Sequence, residues 1–597
     1  MARPATLAAA VAAAALLASG CANIPTVGRP TQVTGASQQG LPSVQPVPPV
    51  PHDGMSERAI VQGFIAASAS FVHHHAAAKA FLDSKLQQSW KPGWAAAVVA
   101  GLSSKVSQPL GPVIGNGQAA LRGTVTVTAH QVATISDVGR YINSPASTVY
   151  KFHLTRAGKQ WRITSLPSPS SLLLLTQADF KEVYQPRNLY VWTPDLQALV
   201  PEPVFAPQEG TSASAASVAQ NLIKALLANQ AQSSFLGPDT RSLFPRGTRL
   251  LGHVDVDGDT ATVNLGGAAA RASAEQLDQM AAQLVVTLTS DSYAQPPVAG
   301  SVTLEVNGRV RPIDGRPVVG WHRFAHLVPA ASHRQPMYFI SKAGLVSELR
   351  PGTLPQPVQK PLAIGQRPFG LIAVSGGRQP QLAATLSTAR GCVIYYGSLT
   401  RLASLHHQAI PIPHSGPCTS VDWDRHGNIW AVASNAVWVL QPGGRQPIEV
   451  PRAPLPGGGP PAYKVLSLSV AGDGVRAAML IKNKNGTQQV ALTAIGGSGT
   501  SISFSSSVIT GPALTDPIAL SWYDADHLVV LSQSQLYEVP VNGGGLIPVG
   551  PAPGAVQVAA AGPGQVATAG GGVILTSSGP NESQQPAAKG TSPTYPG

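Results

Sequence analysis

Between about Pro336 and Pro580 the chain repeats itself loosely, and this repeat restricts the fold more than any other feature. It shows in L-I-A-V-S-G-G from Leu371, S-V-D-W-D-R-H-G-N-I-W-A-V from Ser420 and S-L-S-V-A-G-D-G-V-R-A-A-M from Ser467. It continues in L-S-W-Y-D-A-D-H-L-V-V-L from Leu520 and V-Q-V-A-A-A-G-P-G-Q-V-A-T from Val556. Each is a short apolar strand, a turn rich in Gly and Asp, and a second apolar strand. Most lead into a further strand, such as Ala436 to Leu440 or Gln535 to Val539. Spacings of roughly 36 to 53 residues with this content indicate propeller blades, and five or six fit the available length. An all-β propeller over 336–580 is expected, with a Ser/Gln/Pro/Gly tail, 581–597, expected to be disordered.

The other end of the chain reads as an export signal. Arg3 precedes an apolar run from Leu7 to Leu17, about half of what a membrane-spanning helix needs. Ala18, Ser19 and Gly20 then lead to Cys21, an arrangement that resembles a bacterial lipobox, with Ala18 where Leu is usual. Residues 1–20 are therefore expected to be a signal peptide, with Cys21 carrying an N-palmitoyl and an S-diacylglycerol group. An ordinary secretory signal with an incidental cysteine is the alternative. The tether, 21–55, is rich in Pro, which denies it a backbone ladder and favours extended chain. Cys392 and Cys418 are the two other cysteines; in an oxidising compartment they form a disulfide or remain buried thiols.

Composition excludes some functions. The formal charge is +12, but no run of five basic residues exists, so a nucleic-acid interface has no patch to rest on. Charged residues are 11% of the chain, against about 25% in typical domains, as suits a β-rich, loop-rich protein.

Two α+β units are expected between tether and propeller. In 56–170, Ile60, Phe64, Ile65 and Phe71 follow helical spacing after Ser56, and a second helix is read over Ala76 to Trp90. Val125 and Val127, then Tyr150, Phe152 and Leu154, alternate as strands before a hairpin containing Trp161. This unit resembles an NTF2-like cone. In 187–315, Leu189 and Val191 open a strand paired with Ala198 to Val204, and a helix carries Val218, Leu222, Ile223, Leu226 and Leu227. F-P-R-G-T-R-L-L, an Asp257-Gly258 hairpin, a Ser273/Gln276 capping box and V-T-L-E-V-N-G follow.

Those last motifs resemble the GerMN domain of sporulation and germination proteins. The order of lipobox, tether, Trp161 hairpin, GerMN domain and repeats resembles the actinobacterial LpqB lipoprotein family. The resemblance implies a lipid-anchored protein on the outer face of the cell membrane. It also implies a partner, the extracytoplasmic domain of a sensor histidine kinase of the MtrB kind, whose two-component signalling in cell-envelope homeostasis it modulates. A wall-glycan binder is the alternative, suggested by the basic balance and by Trp423, Trp430 and Trp522; a hydrolase in the propeller channel is a third reading.

No residue is assigned a catalytic, cofactor-binding or metal-binding role, and no cofactor is expected. Asp255 to Asp259 fails as an EF-hand, because Thr260 and Gly266 occupy the places of Gly and Glu. Gly115 to Ala120 fits a dinucleotide fingerprint only nominally, since a β pattern follows it. His73, His74 and His75 are read as a solvated helix face, three consecutive residues being unable to face one metal from one helix. His406 and His407 are read likewise.

Overall fold

The computed structural model describes residues 49–597 except 116–117, 208–214, 229–235, 237–239, 291–295, 330–334, 359–367, 390, 402–403, 412–415, 445, 456–461, 543–544, 563 and 578–583; side chains of 107–120, 157 and 506 are also set aside. The signal peptide, Cys21 and nearly all of the tether fall outside the described residues. Among the described residues no helix is long and apolar enough to cross a membrane.

The first domain begins with α1 (Glu57–Ser68), whose N-terminus is capped by the Ser56 hydroxyl. Its buried Ile60, Val61, Phe64 and Ile65 meet a five-stranded sheet. The sheet holds β1 (Ala96–Gly115), β2 (Gln118–Ile135), β3 (Tyr141–Ala157), β4 (Gln160–Ser165) and β5 (Leu173–Thr176). Order is β4-β3-β2-β1-β5, antiparallel except for β1 with β5. The nominal dinucleotide motif lies at the end of the β1–β2 hairpin, where Gly115 pairs with Gln118.

The helix expected over Ala76 to Trp90 is broken into α2 (Ala76–Lys79) and α3 (Ser84–Ser89). Asp83 is the reason: its backbone N–H bonds to the Ile163 carbonyl and its carboxylate caps α3 at Leu86. The histidines do not share a helix face either. His73, His74 and His75 have φ of 48°, 55° and 60° and form a left-handed turn before α2. His73 and His74 point outward, whereas His75 is buried against Phe71 and Trp90.

A short helix, α4 (Gln177–Val183), starts at a capping box of Thr176 and Asp179 and leads into the second domain. There β6 (Tyr184–Trp192) and β7 (Leu199–Pro207) form a two-stranded sheet. α5 (Ala215–Ala228) buries Val218, Leu222, Ile223 and Leu226. A second sheet holds β8 (Thr248–Leu250), β9 (Asp255–Asp257), β10 (Thr260–Gly267), β11 (Ser301–Val306), β12 (Arg309–Val310) and β13 (Val319–Gly320). β10 and β11 run parallel, joined by α6 (Ala274–Thr289), which starts at the Ser273/Gln276 capping box. The Asp255–Asp259 stretch is the β9–β10 hairpin, with Gly258 at φ 58° and Asp259 Oδ1 accepting from Gly300 N at 2.7 Å. Gly267 is required for a different reason: at φ 68°, a Cβ there would lie 2.3 Å from the Gly247 carbonyl oxygen.

The rest is a β-propeller of six blades among the described residues. Blades 2 to 5 are four-stranded meanders, opening with inner strands Ile372–Val374, Cys418–Trp423, Lys464–Val470 and Pro517–Trp522. Blade 6 opens with Gln557–Ala560, and blade 1 contains Met337–Ser341, Val346–Leu349 and Gln356–Pro357. The segment expected to be a disordered tail closes the ring. Strand Gln585–Thr594 pairs with Val573–Ser577 of blade 6 through its first half and with Met337–Ser341 of blade 1 through its second. Its composition is that of disordered chain, but neighbours on both sides satisfy its backbone, and tertiary pairing overrides local propensity.

Side chains staple each inner strand to the next. Ser420 Oγ accepts from Leu468 N, Asp422 Oδ2 from Val470 N, Ser521 Oγ from Ala560 N, Gln557 Oε1 from Ser592 N and Ser592 Oγ from Ile372 N. Trp423 and Trp522 act alike, their indole N–H groups donating to Ala373 and Ser469 carbonyls of the preceding blades. Trp430 is fully buried and stacks on Phe504 of the next blade. Cys392, in the third strand of blade 2, is joined by a disulfide to Cys418, in the inner strand of blade 3.

Candidate functional site at the capped channel

The six inner strands surround a cavity of about 720 Å³. Its wall is mixed, with Ser420, Asp422, Ser469, Ser521, Gln557 and Tyr595 among apolar neighbours. Pro201 of β7 and Pro329 also line it, so the second domain lies across one mouth.

Three successive blades receive that domain on the turn between their first and second strands, each turn built on one aspartate. In blade 3, Asp424 accepts from the backbone N–H groups of His426 and Asn428 and from Trp430 Nε1, at 2.9 Å each. This presents Arg425 and His426 to Asp195, in the β6–β7 connection. In blade 4, Asp473 holds Val475 N and Arg476 Nε. The Arg476 guanidinium lies over the Trp522 ring at 4.9 Å and donates to the Ala525 carbonyl at 2.6 Å. In blade 5, Asp524 accepts from Asp526 N and His527 N at 2.9 and 2.8 Å.

The blade 5 turn carries the densest polar cluster of the junction. His527 Nδ1 is 3.1 Å from an oxygen of Asp524 and 3.1 Å from one of Asp526. Its Nε2 is 3.5 Å from Glu538 Oε1 on the neighbouring strand. Asn188 of β6 reaches across the interface and donates to Asp526 Oδ2 at 2.8 Å. Burial opposes a charge on His527, yet hydrogen bonds and charges from Asp524 and Asp526 outweigh it and raise its pKa to about 11. Burial lifts the Glu538 carboxyl to about 7 against the attraction of His527. Asp526 resists burial and is held below its ordinary value, first by its bond to His527.

Around these polar contacts the junction is apolar. Leu189, Val191, Val285 and Leu288 of the second domain share one core with Val475, Leu480, Val490, Leu528 and Val530 of blades 4 and 5. The first domain is fastened as well: Phe205 of β7 packs on Tyr141 and Phe180, Arg140 faces buried Glu202, and Asn143 Nδ2 donates to Ile509 O of blade 4 at 2.7 Å.

The cysteines, the turn aspartates and the three tryptophans were visible as residues in the repeats. The cluster was not, because Asp524, Asp526 and His527 sit in a turn that reads as structural, Glu538 arrives through strand pairing and Asn188 from another domain. Adjacent D-A-D-H was the one signal available. His406 and His407 lie in an outer strand of blade 2, beside Tyr396 and Tyr395.

Three family models match successive parts of the chain. Residues 50–181 match the N-terminal domain of lipoprotein LpqB, 188–311 the family described as sporulation and spore germination, and 365–596 the LpqB beta-propeller domain. The chain belongs to the LpqB lipoprotein family. Among its relatives, Lipoprotein LpqB of Thermobifida fusca is 28% identical, with 99% of each chain covered. That of Streptomyces coelicolor is 29% identical over 89% of this chain and 87% of the relative. Of solved structures, the first GerMN domain of the sporulation protein GerM from Bacillus subtilis is 20% identical and covers 23% of this chain and 94% of its own, at a TM-score of 0.17. A periplasmic gluconolactonase from Pseudomonas aeruginosa is 13% identical over 44% of this chain and 98% of its own, at 0.28. The α+β halves and the propeller rest on the strand pairing above.

Proposed function

We propose that this protein is a lipid-anchored accessory lipoprotein on the extracytoplasmic face of the cell membrane, acting by contact and not by catalysis. Cys21 is the proposed anchor, and a Pro-rich leash of about thirty residues holds the folded body clear of the headgroups. The proposed partner is the extracytoplasmic domain of a sensor histidine kinase, whose signalling the lipoprotein modulates.

The observation that supports this reading is the capped channel. The second domain covers one mouth of the propeller and buries its turns in a shared core, which makes a rigid platform of the blades' remaining loops. Membership of a family whose curated relatives carry the name Lipoprotein LpqB supports the anchor.

A pull-down from detergent-solubilised membranes, with the chain lacking residues 1–48 as bait, tests the partner. Recovery of a sensor kinase is expected; recovery of wall glycan fragments in its place would transfer the function to a glycan binder. For the anchor, Cys21→Ala is expected to move the protein out of the salt-washed membrane fraction while its circular dichroism is unchanged. Retention in that fraction would show that Cys21 is not the anchor.

A further inference from the structure

We infer that Asp524, Asp526 and His527 form a site for a divalent metal cation of the zinc class, at the junction between blade 5 and the second domain. One ligand atom from each of the three lies within 4.8 Å of the others. His527 Nδ1 stands 3.1 Å from an oxygen of each aspartate. Four-coordinate zinc, with bonds of about 2.0–2.2 Å to nitrogen and carboxylate oxygen, sets its ligands about 3.3 Å apart. His527 Nδ1 therefore already stands from each aspartate at close to the separation that two ligands of one zinc keep.

A second observation points the same way. Glu538 is 2% exposed, and its Oε1 has no hydrogen-bond partner; it faces His527 Nε2 at 3.5 Å. A histidine that binds metal through one nitrogen commonly donates its other N–H to a carboxylate, which orients the ring and raises its basicity. Glu538 is in place for that role. Asn188, donating to Asp526 Oδ2, is in place to orient the second ligand from the neighbouring domain.

Charge adds a third argument. Asp473 is paired with Arg476 within the blade 4 turn. That leaves Asp524, Asp526 and Glu538 around one imidazole. A protonated imidazole offsets one of the two aspartates, whereas a doubly charged cation beside a neutral imidazole offsets both. Asp524 lines the central cavity, which gives an entry path for the ion.

Titration calorimetry of the chain lacking residues 1–48 with zinc sulfate is expected to show one tight site. Asp526→Asn is expected to weaken it at least tenfold, and Glu538→Gln by about tenfold. Cobalt(II) in place of zinc is expected to give the strong visible bands of a tetrahedral site, a reading on the unmutated protein that does not depend on variants folding. Zinc binding that persists in Asp526→Asn but vanishes in a His73→Ala/His74→Ala variant would overturn the proposal, placing the metal on surface histidines. Octahedral cobalt spectra, binding of calcium alone or no binding at low micromolar zinc would overturn it equally.

Discussion

Asp424 shows how much one side chain carries in this fold. Its carboxylate accepts four hydrogen bonds, two from backbone, one from Asn428 Nδ2 and one from the indole of fully buried Trp430. Asp424→Ala leaves those donors unpaired in a site 4% exposed. A cost of about 2–4 kcal/mol is expected in urea unfolding; a loss below about 1 kcal/mol would show that water replaces the carboxylate. His75 works in the opposite electrostatic sense. Burial lowers its pKa from 6.5 to about 4, so the unfolded chain takes up a proton that the folded one refuses. Stability is complete at neutral pH and falls as pH drops from 6.5 toward 4, by up to about 3 kcal/mol. His75→Asn, which tolerates the left-handed backbone, is expected to flatten that slope between pH 6.5 and 4.5. An unchanged slope in urea midpoints would assign the acid sensitivity elsewhere. Both residues were legible only in part: the sequence marks Asp424 as a turn residue but not its reach to Trp430, and it gives no sign that one histidine of three turns inward.

At the scale of elements, period-two alternation and caps carried most of the reading. α1, the Ser273/Gln276 capping box and β6–β7 lie where local pattern puts them, because their propensity, burial and turns agree. Local pattern misleads where a distant partner decides. Asp83 interrupts a helix by bonding Ile163, and Gln585–Thr594 becomes a strand because two blades need it. The Cys392–Cys418 link is also an affair between elements, tying the third strand of blade 2 to the first of blade 3 across 26 residues. Its loss through Cys392→Ser/Cys418→Ser is expected to cost about 3–4 kcal/mol in the propeller's unfolding and to leave membrane anchoring unchanged. Free thiols in the exported, unreduced protein, measured by mass spectrometry after alkylation, would remove the basis for that expectation.

For the whole molecule, the distribution of cores predicts how it unfolds. The second domain and blades 4 and 5 share one apolar cluster, whereas the helices and sheet of the first domain have another. Scanning calorimetry is expected to resolve the first domain from a larger cooperative unit made of the second domain and propeller. Val475→Asp, which places an unpaired charge in the shared core, is expected to split the larger transition or lower it by several degrees. A lowered first-domain transition with the larger one unmoved would contradict that division. Local sequence gives no sign of this coupling, since Asn188 and Asp526 meet across more than three hundred residues with no shared motif.

The strand that closes the ring has a consequence in time. Gly590–Thr594 must find Met337–Ser341, so the first blade stays one strand short until these two distant segments of the chain are both available. Loop closure over such a separation is among the slower events in folding. The two α+β domains have no such wait, and chains fold domain by domain from the N-terminus as they emerge. The propeller is then the last part to form, and it forms against a second domain that already presents the surface of β6 and β7. The lid precedes the vessel, and the channel mouth is covered from the moment the channel exists.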